Sequence, residues 1–248
     1  MATHRSIIVK IGGKILENRE SIESTISQFK SLMDNDILQK VIIIPGGGSR
    51  ADFIRSMDDK LNLGETLAHW MAIYAMNHNG VELCKRFSNL NCIKNYIELQ
   101  GNFKGEFKKD ISVFLPYDYL VQEDQLPHSW EVTSDSITLY LADKLELKEC
   151  YLIKDVDGII VNENGQERII MEMTTSEYKK FKNMNKIEIK NMNTSELKKT
   201  QPIDSYLLSL IDNSKISCVI LNGTVSKSRI IEYFDDKKVQ NRVYTKIY

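Results

Sequence analysis

The chain has 248 residues, of which 42% are hydrophobic and 27% charged, proportions typical of a folded globular protein with a sizeable core. Lys and Arg together number 33 and Asp and Glu 34, and this balance argues against a nucleic-acid binder, in which a basic excess is expected. The sequence has no apolar run of the roughly 20 residues that a membrane helix needs and no signal-peptide pattern, which favours a cytoplasmic protein with no membrane partner.

Short apolar runs bounded by glycine, proline or polar residues predict buried strands. In chain order they are Ser6–Ile11, Val41–Ile44, Ile111–Leu115, Cys150–Ile153 and Ser217–Leu221. Segments with helical spacing lie between them, namely Glu20–Met33, Thr66–Asn77, Ser134–Leu145, Ile203–Ile211 and Ser226–Phe234. The final stretch of the chain, Val239–Tyr248, predicts a closing strand or hairpin. This alternation predicts an α/β fold, a three-layer αβα sandwich around a mostly parallel open sheet.

Two glycine-rich loops follow the first two predicted strands, with the sequences KIGGK from Lys10 and PGGGSR from Pro45. Glycine at the end of a parallel strand lets the backbone approach a ligand closely, and N–H groups at such a turn hold anions. Neither loop matches GxxxxGK(S/T) or GxGxxG, which argues against a P-loop or dinucleotide fold. Tight turns alone are the alternative, but two such loops in one sheet favour a polyphosphate site.

Two later blocks carry acidic residues at predicted turns. In the first, Thr133 or Ser134 is expected to cap the next helix and place Asp135 in its first turn, where the helix dipole favours a carboxylate. In the second, Asp155 and Asp157 follow a strand in the sequence KDVDG. Their carboxylates suit Mg²⁺ binding, a hydrogen bond to a nucleotide, or a simple Asx turn.

In this order, the four blocks resemble the motifs of the amino acid kinase superfamily over nearly the whole chain. The resemblance implies one domain over residues 1–248, with an acceptor-binding half at about 1–125 and an ATP-binding half at about 126–248. It also implies ATP as phosphoryl donor, Mg²⁺ held mainly by the ATP phosphates with no protein ligand assigned, a small phosphorylated substrate, and a homodimer or higher homo-oligomer.

The resemblance also implies roles for individual residues. Lys10 is expected to bridge the transferring phosphoryl group, and Asp135 to orient Lys10. The expected phosphate- and nucleotide-binding positions are Gly12, Gly13, Gly46, Gly47, Gly48, Lys154, Asp155, Asp157, Gly158 and Gly223. The expected acceptor-binding positions are Arg50, Asp52, Arg55, His69 and Thr133. For the two arginines, a surface salt bridge to Asp58 or Asp59 is an equal alternative.

A finer set of motifs, GGG…AD..R, AHWMA and LP.SW.VTSDS, resembles the phosphate kinases of methanofuran biosynthesis. Those enzymes convert an aminomethylfuran-methyl phosphate to its diphosphate. For the AHWMA motif, the alternative is a buried amphipathic helix in which a backbone group satisfies His69.

The chain also departs from related kinases. The second catalytic lysine of acetylglutamate kinases has no counterpart in Gln201–Ser205, and Lys154 or a lysine of segment 179–199 is a candidate substitute. Isopentenyl phosphate kinases carry a histidine after the glycine triad, and here the sequence reads SRAD. Kinases of UMP, isopentenyl phosphate or a carboxylate such as acetylglutamate remain alternatives, as does a non-catalytic ATP-binding or molybdate storage protein.

Segment 179–199 holds seven lysines against two glutamates. A solvated helix and loop is the favoured interpretation. A mobile basic flap near a polyphosphate is the alternative.

Overall fold

The computed structural model describes residues 5–105, 109–163, 165–187 and 202–248. The strands are β1 (Arg5–Ile11), β2 (Leu38–Pro45), β3 (Asn91–Ile93), β4 (Asp110–Phe114), β5 (Glu149–Lys154), β6 (Ile159–Glu163), β7 (Gln166–Ile170), β8 (Glu172–Met173), β9 (Ser217–Asn222) and β10 (Thr245–Ile247). The helices are α1 (Gly13–Glu17), α2 (Arg19–Asp34), α3 (Gly48–Leu61), α4 (Glu65–Arg86), α5 (Tyr96–Lys104), α6 (Tyr117–Glu123), α7 (Ser134–Lys144), α8 (Thr175–Asn183), α9 (Ser205–Ser214) and α10 (Arg229–Phe234).

Eight strands form one sheet in the order β3-β4-β2-β1-β5-β9-β10-β8, and β6 and β7 form a separate antiparallel pair. All neighbours in the large sheet are parallel except β9 and β10. Because side chains alternate along a strand, β1 supplies Ile8 to one core and Ile7 and Val9 to the core on the other face. Helices cover both faces, so the predicted αβα sandwich around a mostly parallel sheet is confirmed.

All five predicted strands are present with ends shifted by at most three residues, and one predicted helix differs by more. The helix predicted at Thr66–Asn77 continues to Arg86. Gly80 in this extension lies against Leu115 and Pro45, where a Cβ atom would overlap the Leu115 side chain. The helix predicted to begin at Ser226 begins at Arg229.

The prediction of a strand or hairpin over Val239–Tyr248 is correct only for Thr245–Ile247, which pairs antiparallel with β9. The preceding residues, Asp236–Asn241, form a 3₁₀ helix. Part of the predicted hairpin is therefore wrong, because the antiparallel partner of the last strand lies in β9 and not in the adjacent sequence.

The lysine-rich segment begins within α8, where Lys179 forms an ion pair of 3.1 Å with Asp212. Positions 188–199 of the predicted basic flap lie outside the described residues. None of the helices formed by the described residues has the length and hydropathy required to cross a bilayer.

Candidate functional site

The central feature of the site is a lysine in a central strand. Lys10 lies near the end of β1 and is only 7% exposed. Alternation along β1 directs it to the same sheet face as Ile8, the face on which α7 packs. A charged ammonium group at such a buried position requires a counter-charge.

Asp135 supplies this counter-charge. Thr133 caps α7 and accepts a hydrogen bond from the Asp135 N–H, which places Asp135 in the first turn of the helix as expected. The Asp135 side chain is buried, and its Oδ1 atom lies 2.8 Å from Lys10 Nζ. The structure therefore brings Lys10 and Asp135 into direct contact, and the orienting role of Asp135 stays a prediction.

A second lysine reaches the same carboxylate. Lys154 Nζ donates a hydrogen bond of 2.7 Å to Asp135 Oδ2. The parallel register of β1 and β5 pairs Lys10 with Leu152, so Lys154 lies two positions further along the neighbouring strand and points to the same face. Asp135 thus bridges two lysines from adjacent strands.

Opposing effects set the protonation of this group. Burial by itself raises the pKa of Asp135, but the charges of Lys10 and Lys154 outweigh it and hold the pKa at about 2. Burial lowers the pKa of Lys10 below its ordinary value although Asp135 favours the protonated form, and the Lys154 charge lowers it further. Asp135 is therefore a carboxylate at neutral pH.

A second acidic residue, Asp204, lies next to this group. Its Oδ2 atom accepts hydrogen bonds from the N–H and hydroxyl groups of Thr133, at 3.0 and 2.7 Å, and from the N–H of Ser136 at 3.0 Å. Its Oδ1 atom accepts from the Ser136 hydroxyl and from the N–H of Leu207. The Thr133 side chain, expected at the acceptor, is thus bonded to Asp204.

Sequence reasoning missed Asp204, although a signal was present. An Asp directly before an amphipathic segment is a typical helix N-cap, and Asp204 caps α9 in this way. Burial, and then the charge of Asp135, raises the pKa of Asp204 above its ordinary value.

The two glycine loops lie against each other at the carboxyl ends of β1 and β2. A Cβ atom on Gly13 would overlap the backbone of Gly48, so the close approach requires glycine. The N–H groups of Gly12 and Gly46, however, donate to the carbonyl oxygens of Ile153 and Ile11, at 2.8 and 2.9 Å. The expectation that the N–H groups of both loops face a phosphate is therefore wrong for Gly12 and Gly46, whose N–H groups already donate to neighbouring strands of the sheet.

Asn79, a buried residue of α4 that sequence reasoning missed, supports the second loop. Its Nδ2 atom donates to the carbonyl oxygens of Gly46 at 2.7 Å and Gly47 at 2.9 Å. Its Oδ1 atom accepts from Arg50, whose Nη2 atom also donates to Glu82 at 2.9 Å. Arg50 therefore pairs with neither of the aspartates expected as salt-bridge partners.

Arg55 occupies a different environment. Its guanidinium carbon lies 4.5 Å from the centre of the Trp130 ring, a cation–π contact. The Trp130 indole N–H donates to Asp58. Within the described part of the chain, the buried Nε atom of Arg55 has no hydrogen-bond partner. Asp52 is exposed one turn earlier on α3.

His69 is buried in α4 and stacks on His128, with 5.2 Å between the ring centres. Burial, followed by the His128 charge, lowers the pKa of His69 to about 4, although a hydrogen bond to the Ser129 backbone opposes the shift. This hydrogen bond agrees with the alternative interpretation, in which His69 is buried in an amphipathic helix and bonded to a backbone group.

The acidic turn after β5 is occupied by cations of the protein itself. Asp155 lies 2.9 Å from the exposed Lys14 ammonium group. Asp157 lies 3.1 Å from Arg229 and accepts from Asn222. Among the described residues, no group of three or more His, Cys, Asp or Glu side chains is placed to hold a metal ion.

Two further glycines of the predicted nucleotide side have packing reasons for being glycine. Gly158 has a φ angle of +144°, and a Cβ atom there would overlap Thr245. A Cβ atom on Gly223 would overlap Ile153, and its carbonyl oxygen accepts from Thr25 at 3.1 Å. Both positions lie at the carboxyl side of β5 and β9, but their contacts are with protein.

Comparison with known proteins gives a consistent result. Residues 5–222 match the model described as amino acid kinase family. Over 241 residues the chain is 30% identical to the (5-(aminomethyl)furan-3-yl)methyl phosphate kinase of Methanocaldococcus jannaschii, and the match covers 97% of this chain and 96% of the relative.

Solved structures share the fold at lower identity. The UMP kinase of Ureaplasma parvum has a TM-score of 0.64 at 19% identity and covers 99% of both chains. The uridylate kinase of Archaeoglobus fulgidus has a TM-score of 0.66 at 17% identity, covering 98% of this chain and 100% of that one. For the aspartate kinase of Synechocystis the TM-score is 0.61 at 12% identity, with 98% of this chain and 39% of that chain covered.

Proposed function

Because the chain belongs to the amino acid kinase family and is thus a phosphotransferase, we propose that it transfers the γ-phosphoryl group of ATP to a small phosphate monoester. The product is a diphosphate. The observation that carries this proposal is the Asp135 carboxylate bridging Lys10 and Lys154 at 2.8 and 2.7 Å. Two ammonium groups fixed at the carboxyl ends of β1 and β5 suit a reaction whose main demand is charge stabilisation.

Lys10 and Lys154 each have three N–H donors; Lys154 donates one to Asp135 Oδ2, and Lys10 forms an ion pair with Asp135 Oδ1. We assign both lysines to the oxygens of the transferring phosphoryl group and the ATP phosphates. Asp135 keeps the two ammonium groups at a fixed separation and offsets part of their mutual repulsion. Lys154 thereby takes the place of the second lysine that Gln201–Ser205 does not supply.

The acceptor needs no general base, because a phosphate monoester is largely a dianion at neutral pH. Arg55 is the better candidate for gripping this phosphate, since its buried Nε donor has no partner within the described residues, whereas Arg50 is bonded to Asn79 and Glu82. The Trp130 ring lies over Arg55, the His69 ring packs against Trp70, and such aromatic rings suit a flat organic group. Asp52 and Thr133 complete the proposed acceptor side.

Mg²⁺ is the expected metal, and the donor set fits a weakly held ion. Mg²⁺ is commonly bound by one or two carboxylates together with substrate phosphates. Asp155 and Asp157 are the acidic residues of the proposed nucleotide side, although Lys14 and Arg229 pair with them in this structure. When bound, Mg²⁺ would offset charge on the ATP phosphates; the glycine loops and the two lysines position the same phosphates.

The acceptor we propose is (5-(aminomethyl)furan-3-yl)methyl phosphate, in the biosynthesis of a methanofuran-type cofactor. The support is the relative that is 30% identical and aligned over almost the full length of both chains. Phosphorus NMR with Mg-ATP tests this against UMP, isopentenyl phosphate and acetylglutamate. Diphosphate signals are expected with the furan phosphate. Turnover of only another acceptor, or a product trapped by hydroxylamine as an acyl phosphate, contradicts the proposal.

We also propose that the chain forms a homodimer or higher homo-oligomer. An apolar groove of about 620 Å³ runs between α3 and α4. At its rim, the side chains of Phe53 and Tyr74 are 66% and 61% exposed. Contiguous apolar surface of this kind is typical of protein contacts. Analytical ultracentrifugation tests the state, and a monomer at micromolar concentration contradicts it.

A further inference from the structure

One carboxylate joins the N-termini of two helices beside the lysine pair. Asp204 caps α9 through the Leu207 N–H at 2.8 Å, and it also receives the N–H and hydroxyl groups of Thr133 and Ser136 at the start of α7. All five groups that contact the Asp204 carboxylate are hydrogen-bond donors, so the ionised carboxylate can accept from each of them. Both helix dipoles present their positive ends to this group.

The two residues held by Asp204 flank the bridging carboxylate in sequence. Thr133 and Ser136 lie directly before and after the Ser134–Asp135 pair, and Thr133 also receives the Asp135 N–H. Fixing both ends of this four-residue segment restricts the backbone that carries Asp135. The contacts of Asp135 with Lys10 and Lys154, at 2.8 and 2.7 Å, depend on that placement.

We propose that Asp204 is a positioning residue, which acts through the Thr133–Ser136 segment to hold Asp135 between the two lysines. This inference rests on the proposed role of Lys10 and Asp135 in phosphoryl transfer. Asp204 touches neither lysine in the contacts described above. It therefore differs from a residue that binds substrate directly.

Asp204 also balances charge. The two lysines are matched by Asp135 and Asp204, and the Asp204 charge favours the protonated form of Lys10, opposing the effect of burial on the Lys10 pKa. Removing this charge should therefore make Lys10 lose its proton at lower pH. Replacing the uncharged cap Asn95 of α5 should not produce this effect.

The test uses Asp204→Ser, because serine retains a good N-cap for α9 but its single hydroxyl cannot satisfy the Thr133 and Ser136 donors together. Asp204→Asn, which removes the charge with little change in shape, is the second variant. Asn95→Ser is the matched control. Asn95 caps α5 by accepting a hydrogen bond from the Glu98 N–H, so a cap residue is replaced by serine there as well. Lys10→Ala is measured in parallel.

The expected result for Asp204→Ser is a loss of about 10- to 100-fold in kcat with a smaller change in the KM for ATP, as follows from misplacing a catalytic group. The basic limb of the pH–kcat profile should move to lower pH in both Asp204 variants. Amide hydrogen exchange in residues 134–137 should rise in Asp204→Ser and not in Asn95→Ser.

Three outcomes separate the hypotheses. If Asp204→Ser and Asn95→Ser lose similar stability and both keep kcat and the basic limb, Asp204 is only a cap and the inference is overturned. If Lys10→Ala remains active, the proposed function of the site is wrong. If Asp204→Ser does not fold, an unchanged kcat in Asp204→Asn overturns the inference, because the amide cannot accept all the hydrogen bonds that Thr133 and Ser136 donate to the carboxylate.

Discussion

The ammonium group of Lys154 lies 2.7 Å from the Oδ2 atom of Asp135. The other oxygen of the same carboxylate is 2.8 Å from Lys10. Lys10, Asp135 and Lys154 are far apart in the sequence, yet they form one buried ionic group at the carboxyl ends of the central parallel strands β1 and β5. For the second lysine the sequence left Lys154 and a lysine of segment 179–199 as alternatives, and in the structure Lys154 shares the carboxylate of Asp135 with Lys10.

Replacing either lysine should abolish most activity. Lys10→Met and Lys154→Met should each lower kcat by about 10²–10³, the usual cost of losing a donor that stabilises the transition state. Lys154→Arg should recover part of the loss, because it keeps the charge but changes the donor geometry. Steady-state kinetics with Mg-ATP measure the effect.

The matched control for the lysine variants is Lys246→Met. Lys246 is also a partly buried, ion-paired strand lysine, but it pairs with Glu149 at the amino end of β5. Its loss should leave kcat within about twofold, as for other residues away from a site. Near wild-type activity in Lys154→Met would show that Lys154 does not serve as the second lysine.

Asp135 should make the fold sensitive to acid. Its pKa in the folded state is about 2, below the ordinary 3.8. Ionised Asp135 therefore stabilises the fold above pH 3.8, and that contribution is lost as the pH falls toward 2. This lowering of the pKa corresponds to a contribution of Asp135 to the unfolding free energy on the order of 2 kcal/mol.

Urea unfolding of the wild type and Asp135→Asn across this pH range measures the contribution. The stability difference between the two proteins should shrink as the pH falls, because protonated Asp135 resembles the amide. A difference that stays constant with pH would show that the lysines do not depress the Asp135 pKa.

His69 should oppose folding when it is protonated. Its pKa is lowered from 6.5 to about 4, mainly by burial. The unfolded chain therefore takes up a proton near pH 6.5 that the folded chain takes up only near pH 4, so stability falls between these values. From about pH 6.5 to about pH 5 the loss should be on the order of 1–2 kcal/mol.

Chemical denaturation of wild type and His69→Gln at several pH values isolates this effect, since glutamine does not titrate in the range. The variant should show a flatter dependence of unfolding free energy on pH. Direct NMR titration of the His69 ring should give a midpoint well below that of free histidine, and a midpoint near the ordinary 6.5 would be inconsistent with burial as the cause.

Gly13→Ala should damage the site more than the fold. The added methyl group would overlap the Gly48 backbone, which cannot move as a side chain can. We expect a loss of at least about tenfold in kcat from displacement of the glycine loops. Gly101→Ala is the control, because among the described residues no atom outside its own stretch of α5 lies within 4 Å of its Cβ position.

Gly101→Ala should raise the unfolding free energy by about 0.5–1 kcal/mol, the usual gain for alanine in a helix, with activity unchanged. Equal effects of the two substitutions on kcat and Tm would argue that the approach of Gly13 to Gly48 is not needed for catalysis.

The sequence alone was sufficient for the αβα sandwich, because apolar runs such as Ser6–Ile11 and capped amphipathic segments such as Ser134–Leu145 are local patterns with local causes. Glycines after two parallel strands predicted an anion site, and the cap before Asp135 predicted its place in a first helical turn. The role of Lys10 was implied only by the resemblance to the amino acid kinase superfamily. The helix end at Arg86 was missed, and the contact that requires glycine at position 80 within the extension is with Leu115, which is not local in sequence.

Only the tertiary structure decided which side chains from distant parts of the sequence contact one another at the site. Lys154 meets Asp135 through the register of β1 and β5, Asn79 reaches the second glycine loop from α4, and Asp204 reaches Thr133 from α9. These pairs are 19, 33 and 71 positions apart. Such contacts depend on how strands pair and helices pack. That arrangement cannot be predicted from the type of a residue and its neighbours in the sequence.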